Sequence, residues 1–284
     1  MSYPYWNKWS RTVVAALSLL GVVLGSASAA AEPLLGSADS FAVLGHTTVT
    51  NTGATTITGD VGVDPGTSIT GMGTITLVGA STYQIDNAVA LGAQADATTA
   101  FNDLAGLSST MNLTGKVLGT GGAVSLLTPG VYSFSSSAQL TGALTLNFAG
   151  ASNEEFVFQI GTQLTTASAS DIIVENGNST DSVYFKVGSS AVLGTTTDFA
   201  GTIIAGDSIT LDTGAEILCG RAIALTGQVA MQGNTISSDC SATSGGTGSG
   251  GTGTAAVPEP ASLALLGMGI AGLGLGAIRR RRKA

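Results

Sequence analysis

One phrase recurs through the second half of the chain: a short β-branched or aromatic run closed by glycine. FVFQIG ends at Gly161, VYFKVG at Gly188, GTIIAG at Gly206 and RAIALTG at Gly227, with spacings of 27, 18 and 21 residues. A second short run follows each, in TQLTT, SAVLGT, SITLDTG and QVAMQG. A unit this small cannot bury its own apolar side, whereas stacking each strand on its counterpart in the next unit does. The spacing therefore predicts a β-solenoid. An immunoglobulin-like sandwich also uses many short strands. An aromatic content of 5% and the repeated strand-glycine phrases suit stacked coils better.

The first half adds a constraint on the outside of the coils. In TNTGATTITGD, Thr50 to Asp60, the only apolar residue larger than alanine is Ile57. The triplet Thr56-Ile57-Thr58 has parallels in Thr48-Val49-Thr50, Ser68-Ile69-Thr70, Thr74-Ile75-Thr76 and Ser208-Ile209-Thr210. Alternate strand residues face opposite sides, so the apolar member points inward and two stiff hydroxyl-bearing side chains point out. Stacked strands lie about 4.8 Å apart and same-face residues about 6.7 Å apart. Threonines in such rows form a flat, rigid lattice of hydroxyls and methyls, with repeats near those of oxygen layers in ice. Threonine also favours strands generally, which explains part of the pattern.

One segment departs from this grammar. Over about residues 82–107, Ile85, Ala88, Val89, Gly92, Ala93, Ala97, Ala100, Phe101 and Leu104 follow three-four spacing. That predicts one long α-helix, its mostly small apolar face lying close against the solenoid.

The two ends carry addresses rather than fold. Residues 1–31 hold Lys8 and Arg11, an apolar run from Val13 to Leu24, then GSASAAAE, the order of a secretory signal peptide. Cleavage follows Ala29 or Ala31; a retained anchor is the alternative. At the other end, Ser241 to Ala256 is Gly/Ser/Thr-rich, a flexible linker. In residues 257–284, Pro258-Glu259-Pro260 precedes an uncharged stretch, 261–278, long enough to cross a bilayer, and a basic tail. That order resembles the PEP-CTERM sorting signal of Gram-negative bacteria. The resemblance implies processing by an exosortase after signal peptidase, transient anchoring in the inner membrane, and a mature protein outside the cell or on its surface. The folded body is then one domain, residues 32–240.

Within residues 32–256 the basic residues are Lys116, Lys186 and Arg221, against seventeen carboxylates. So acidic a body is a poor partner for nucleic acid or anionic lipid, leaving the C-terminal segment as its only membrane contact. Cys219 and Cys240 are a candidate disulfide in an exported protein. No soft ligands accompany them, and no metal or cofactor is expected.

Reacting groups are hard to assemble. His46 is the single histidine, and no serine elbow, Walker loop or zinc spacing accompanies it. Glu154-Glu155 reads as a solvated loop, and Asp64-Pro65-Gly66 as a turn. The chain is not expected to be an enzyme. The enzymatic alternative is a carboxylate pair assembled across coils to act on polysaccharide.

GSADSFAVLGHTTVTNTGATTITGDVGVDPGTSITG and FAGTIIAGDSITLDTGAEILCGRAIALTGQVAMQGNTI resemble the opening and closing stretches of the bacterial and fungal ice-binding family, the DUF3494 type. The resemblance implies an irregular, discontinuous right-handed β-solenoid with a helix alongside, binding ice by a flat face and adjoining turns. Some members carry Thr-Ala/Gly-x-Thr/Asn turns. Thr52-Gly53-Ala54-Thr55 matches fully, while Thr213-Gly214-Ala215-Glu216 and Thr166-Ala167-Ser168-Ala169 depart at the last position. The expected ice contacts are Thr52, Thr55, Thr166, Ser168, Thr195, Thr197 and Thr213, on a monomer whose partner is the ice–water surface. The competing expectation is a surface, biofilm-matrix or adhesion protein using the same solenoid without ice activity.

Overall fold

The computed structural model describes residues 34–240. The expected signal peptide, linker, PEP-CTERM segment and its apolar stretch lie outside the described residues.

The chain runs in coils of three short strands, one more per coil than the sequence phrases suggest. The first coil is β1 (Phe41–Gly45), β2 (Thr48–Thr52) and β3 (Thr55–Thr58). The second is β4 (Asp60–Val63), β5 (Ser68–Thr70) and β6 (Ile75–Val78), followed by a lone β7 (Tyr83–Ile85). The helix α1 (Ala88–Gly106) then intervenes. After it come β8 (Met111–Asn112), β9 (Val117–Leu118) and β10 (Leu126–Leu127), then β11 (Gly130–Phe134), β12 (Ala138–Leu140) and β13 (Ala143–Asn147). β14 (Glu155–Ile160), β15 (Leu164–Thr166) and β16 (Asp171–Glu175) follow, then β17 (Ser182–Val187), β18 (Ala191–Leu193) and β19 (Asp198–Ala200). The last coils are β20 (Thr202–Ala205), β21 (Ile209–Leu211), β22 (Glu216–Leu218) and β23 (Ala222–Ala224), β24 (Val229–Gln232), β25 (Thr235–Ser237).

First strands of the coils stack into a nine-stranded sheet A, second strands into an eight-stranded sheet B and third strands into an eight-stranded sheet C. Every strand pairing is parallel, as expected when like strands of successive coils meet (for example β14 on β17 and β15 on β18). The stacking order is not the chain order. β1 pairs with β4 on one side and with β23, from the last coil, on the other. The chain therefore builds two coils outward, crosses the whole stack, and winds back until its last coil closes against its first.

That crossing explains the helix. From β7 to β8 is eight strand steps, roughly 38 Å at about 4.8 Å each. A 19-residue helix rises about 28 Å, and the short links at its ends make up the rest. It begins at Ala88, later than the sequence spacing suggests, because Tyr83 and Ile85 pair as strand residues with Val61 and Val63 of β4. Asn87 then caps it, its Oδ1 accepting from Ala90 N at 2.9 Å. Ala90, Ala93, Ala97, Ala100 and Leu104 are buried against sheet A, whereas Val89, placed on that face by its spacing, is exposed. At the far end Gln159 Nε2 donates to Leu104 O and Leu107 O at 2.7 and 2.8 Å, satisfying helix carbonyls left without a partner.

At β1, β20 and β23, sheet A is consequently buried on both sides. Its inner residues join those of B and C in the main core, where Phe158 stacks on Phe185 with centroids 4.5 Å apart and planes 4° from parallel. Its outer residues Phe41, Leu44, Ile204 and Ile223 pack beneath α1. The glycines that punctuate the sequence stack at the A–B corner, because backbone crosses backbone there: a Cβ on Gly188 would come within 2.0 Å of Gly161 O. Arg221 fastens the N-terminal segment, its Nη2 2.7 Å from Asp39 Oδ1. A disulfide joins Cys219 to Cys240 at the C–A corner.

Candidate functional site

With sheet A covered, sheets B and C each keep one solvent-facing side. The register of sheet B sets eight residues in one outward rank. It runs from Thr70 to Thr50, Ala230, Thr210, Val192, Thr165 and Gln139, and ends at Val117. The rank carries no charge. Each of these alternates with a buried apolar neighbour such as Val49, Ile209 or Leu193, so the row is fixed from beneath. The hydroxyls of Thr50, Thr70, Thr165 and Thr210 make no hydrogen bond among the described residues, leaving them available above the sheet. In one flanking rank Ser68 lies beside Thr48, whose hydroxyl meets Gln228 Oε1 at 3.4 Å; the rank on the other side, which holds Thr52 and Gln232, reaches Asp212.

Of the seven residues singled out by their turns, four are exposed and three are not. Thr213, Thr195 and Ser168 project from the B–C turns of three adjacent coils, and Thr52 from that of the first coil, with the β24–β25 turn between it and Thr213; all four are exposed at one margin of the sheet B face. Thr55, Thr166 and Thr197 are 1%, 7% and 0% exposed. Their hydroxyls bond internally: Thr55 Oγ1 donates to Asn51 Oδ1 at 2.6 Å, and Thr166 Oγ1 meets Thr197 Oγ1 at 2.8 Å. Buried hydroxyls so engaged are unavailable at the surface, which corrects the expectation for these three. The turn motif hid this: in Thr52-Gly53-Ala54-Thr55 the first residue is exposed and the last buried, whereas in Thr213-Gly214-Ala215-Glu216 the buried position is Ala215.

Three of the face residues that the turn motif passes over, Thr50, Thr70 and Thr210, are visible in the triplets. Thr48-Val49-Thr50, Ser68-Ile69-Thr70 and Ser208-Ile209-Thr210 lie on sheet B, but Thr56-Ile57-Thr58 lies on sheet C, with Thr76 beside Thr56. Alternation tells outside from inside. It does not tell one outer face from another.

Sheet C is a different surface. Asp171, Asp198 and Glu216 occupy one outward rank on three successive strands. Burial, with the neighbouring Asp198 carboxylate, pushes the Asp171 pKa above its ordinary 3.8. The carboxylates that look scattered in the sequence are thus partly gathered. They lie on an open strand face. A cavity of about 350 Å³ beside the disulfide is lined by Phe148, Asp181, Tyr184 and Arg221 among others and by none of the three. None of the other candidate groups lies on this rank of carboxylates. Asp60 Oδ1 accepts from Thr82 N and Oγ1 at 2.7 and 2.8 Å, Glu155 opens β14, and His46 sits half-buried at the A–B corner.

Residues 43–237 match the Ice-binding-like family, and residues 256–282 match the PEP-CTERM protein-sorting motif. An ice-binding protein of Nostoc sp. is 52% identical over 214 residues, covering 75% of this chain and 77% of that one. Another, from Colwellia sp., is 30% identical, covering 78% and 92%. Among solved structures, an ice-binding protein from an Antarctic biological consortium superposes with a TM-score of 0.64 at 44% identity, covering 72% of this chain and 89% of that one. One from the Antarctic ascomycete Antarctomyces psychrotrophicus gives 0.66 at 37%, covering 73% and 98%. A β-solenoid of parallel strands with one helix alongside, matched in sequence over most of its length, places this chain in the ice-binding-like family.

Proposed function

We propose that the chain adsorbs to ice through the outer face of sheet B together with Thr52, Ser168, Thr195 and Thr213 on the B–C turns, and so slows ice growth and recrystallisation. The observation that carries this reading is the uncharged, in-register rank from Thr70 to Val117 with its unengaged threonine hydroxyls. Water above such a lattice meets hydroxyls and methyls at fixed spacings, without the strong, mobile hydration of lysine or glutamate. Adsorbed molecules pin the ice front, which bulges between them, and the added curvature lowers the local freezing point. A rigid surface suits this work, because flexible groups lose ordering entropy on binding.

The ends complete the proposal. Residues 1–31 direct export, 241–256 tether the 32–240 body, and an exosortase acts at Pro258-Glu259-Pro260, after transient anchoring in the inner membrane, delivering a monomer to the cell exterior. The sorting-motif match also favours a second reading, surface display without ice activity. Ice growth observed by microscopy separates the two. Faceted crystals and a freezing–melting gap are expected from the full chain. Round crystals beside a folded protein would leave display alone.

A further inference from the structure

Nine polar or charged side chains are buried among the described residues, and six of them lie at one corner of the coil, where sheet B turns into sheet C: Asn51, Thr55, Thr166, Ser170, Thr197 and Asn234. The other three are Asp64, Thr202 and Gln94, one at each remaining corner and one on α1. The register shows how the group is built. Thr56 pairs with Thr235, Thr235 with Glu216, Glu216 with Asp198 and Asp198 with Asp171. The residues just before these, Thr55, Asn234, Ala215, Thr197 and Ser170, therefore form one inward column across five coils.

Its hydrogen bonds go to the turns. Asn51 Nδ2 donates to Gly53 O at 3.0 Å, and Thr55 Oγ1 accepts from Asn234 N at 3.1 Å. Where the column has Ala215 in place of a polar residue, Asn234 reaches across, its Nδ2 donating to Ala215 O and Asp212 O at 2.8 and 2.9 Å. Thr166 Oγ1 accepts from Gly194 N at 2.8 Å, and Thr197 Oγ1 donates to Ala167 O at 3.3 Å. Each hydroxyl has one proton, so Thr166 donates to Thr197 in the bond between them. The backbone held this way, at Gly53, Ala167, Gly194 and Asp212, adjoins the exposed Thr52, Ser168, Thr195 and Thr213.

We infer that this column is a positioning device for adsorption. It fixes the B–C turns flush with sheet B, so that turn residues and face act as one surface, with Thr166, Thr197 and Asn234 as positioning residues. The inference rests on the sheet B reading above. Apolar packing alone closes most of the core, and buried polar pairs add little net stability over apolar groups of the same shape. What they add is one defined geometry, and a surface ordered in advance loses less entropy when ice adsorbs.

The test uses the full chain carrying Thr166→Val with Thr197→Val, which removes both hydroxyls at nearly constant shape. The freezing–melting gap, the ice planes covered by fluorescently labelled protein, and the melting temperature are measured together. The expected result is a chain folded at the freezing point with a several-fold smaller gap and at least one ice plane no longer covered. Thr197→Ser alone, which keeps the hydroxyl, is expected to keep the parent's gap and planes. If the double variant does not fold, Asn234→Ala cuts the column elsewhere and is expected to shrink the gap likewise. Folded variants with the parent's gap and planes would overturn the inference. Thr210→Tyr, run in parallel, keeps the two ideas apart. If it abolishes the gap while the column variants leave it intact, only the positioning role fails. If it leaves the gap intact, the sheet B reading fails and this inference with it.

Discussion

Sheets B and C come from the same coils, alternate with the same period and cover the same core, yet their outer ranks differ in kind. The central rank of B carries threonine, glutamine, alanine and valine and no charge. On C, one rank sets Asp171, Asp198 and Glu216 side by side. Its neighbour exposes Leu218 at 37% and, on the outermost strands, Val78 at 42% and Leu126 at 60%. The fold demands no such asymmetry, since any soluble outer face satisfies a solenoid. A parallel stack places in-register carboxylates about 4.8 Å apart, where like charges repel. Face C tolerates that cost and face B avoids it. The contrast teaches that the uncharged rank is a property of one surface and not of the repeat.

The largest expected effect falls at the centre of B. Thr210→Tyr should abolish the freezing–melting gap while changing unfolding free energy by no more than about 0.5 kcal/mol, the usual range for surface substitutions. Nanolitre osmometry with thermal melting checks both. Reducing the Cys219–Cys240 bond, which closes 21 residues, should cost about 3 kcal/mol in denaturant titration. It lies at the C–A corner, so the folded reduced protein should keep its gap. Thr52→Tyr and Thr213→Tyr, at the margin of B, should each reduce the gap in part. An unchanged gap in both would move the contact away from these turns.

Face C provides the smaller effects. The folded pKa of Asp171 is raised above 3.8 by burial and by Asp198. Between that value and the raised one, the folded state keeps a proton that the unfolded chain has released. Stability from this group therefore declines as pH rises through the window. Asp171→Asn should flatten that slope in melts across pH and leave ice activity alone. Smallest of all, Ile173→Tyr on the outer side of C should leave the gap unchanged, and a reduced gap would erase the distinction between the faces.

The sequence carried much of this locally. FVFQIG, VYFKVG and GTIIAG are in-register neighbours in sheet A, and Gly161, Gly188 and Gly206 stack where the phrases end. The third strand of each coil was not distinguished, because segments such as Asp198–Ala200 and Glu216–Leu218 are three residues long and begin with a carboxylate. The helix start was read too early, since Tyr83 and Ile85 fit either period and only pairing with β4 decides between them. Thr55, Thr166 and Thr197 were placed outside because a hydroxyl reads as polar until its buried partner is known.

By itself, then, the sequence determined that strands stack, and that in triplets such as Thr48-Val49-Thr50 the branched apolar residue faces in while its hydroxyl-bearing flanks face out, because a side-chain period of two is a property of each strand. Only the tertiary structure decided that the first coil sits against the last, that the helix runs along the stack and covers the central strands of sheet A, and which threonines share a face. Those facts depend on register between segments as much as 180 residues apart, such as Thr48 and Gln228. No local pattern encodes which coil a strand will meet, so only closure of the stack places these hydroxyls on one surface.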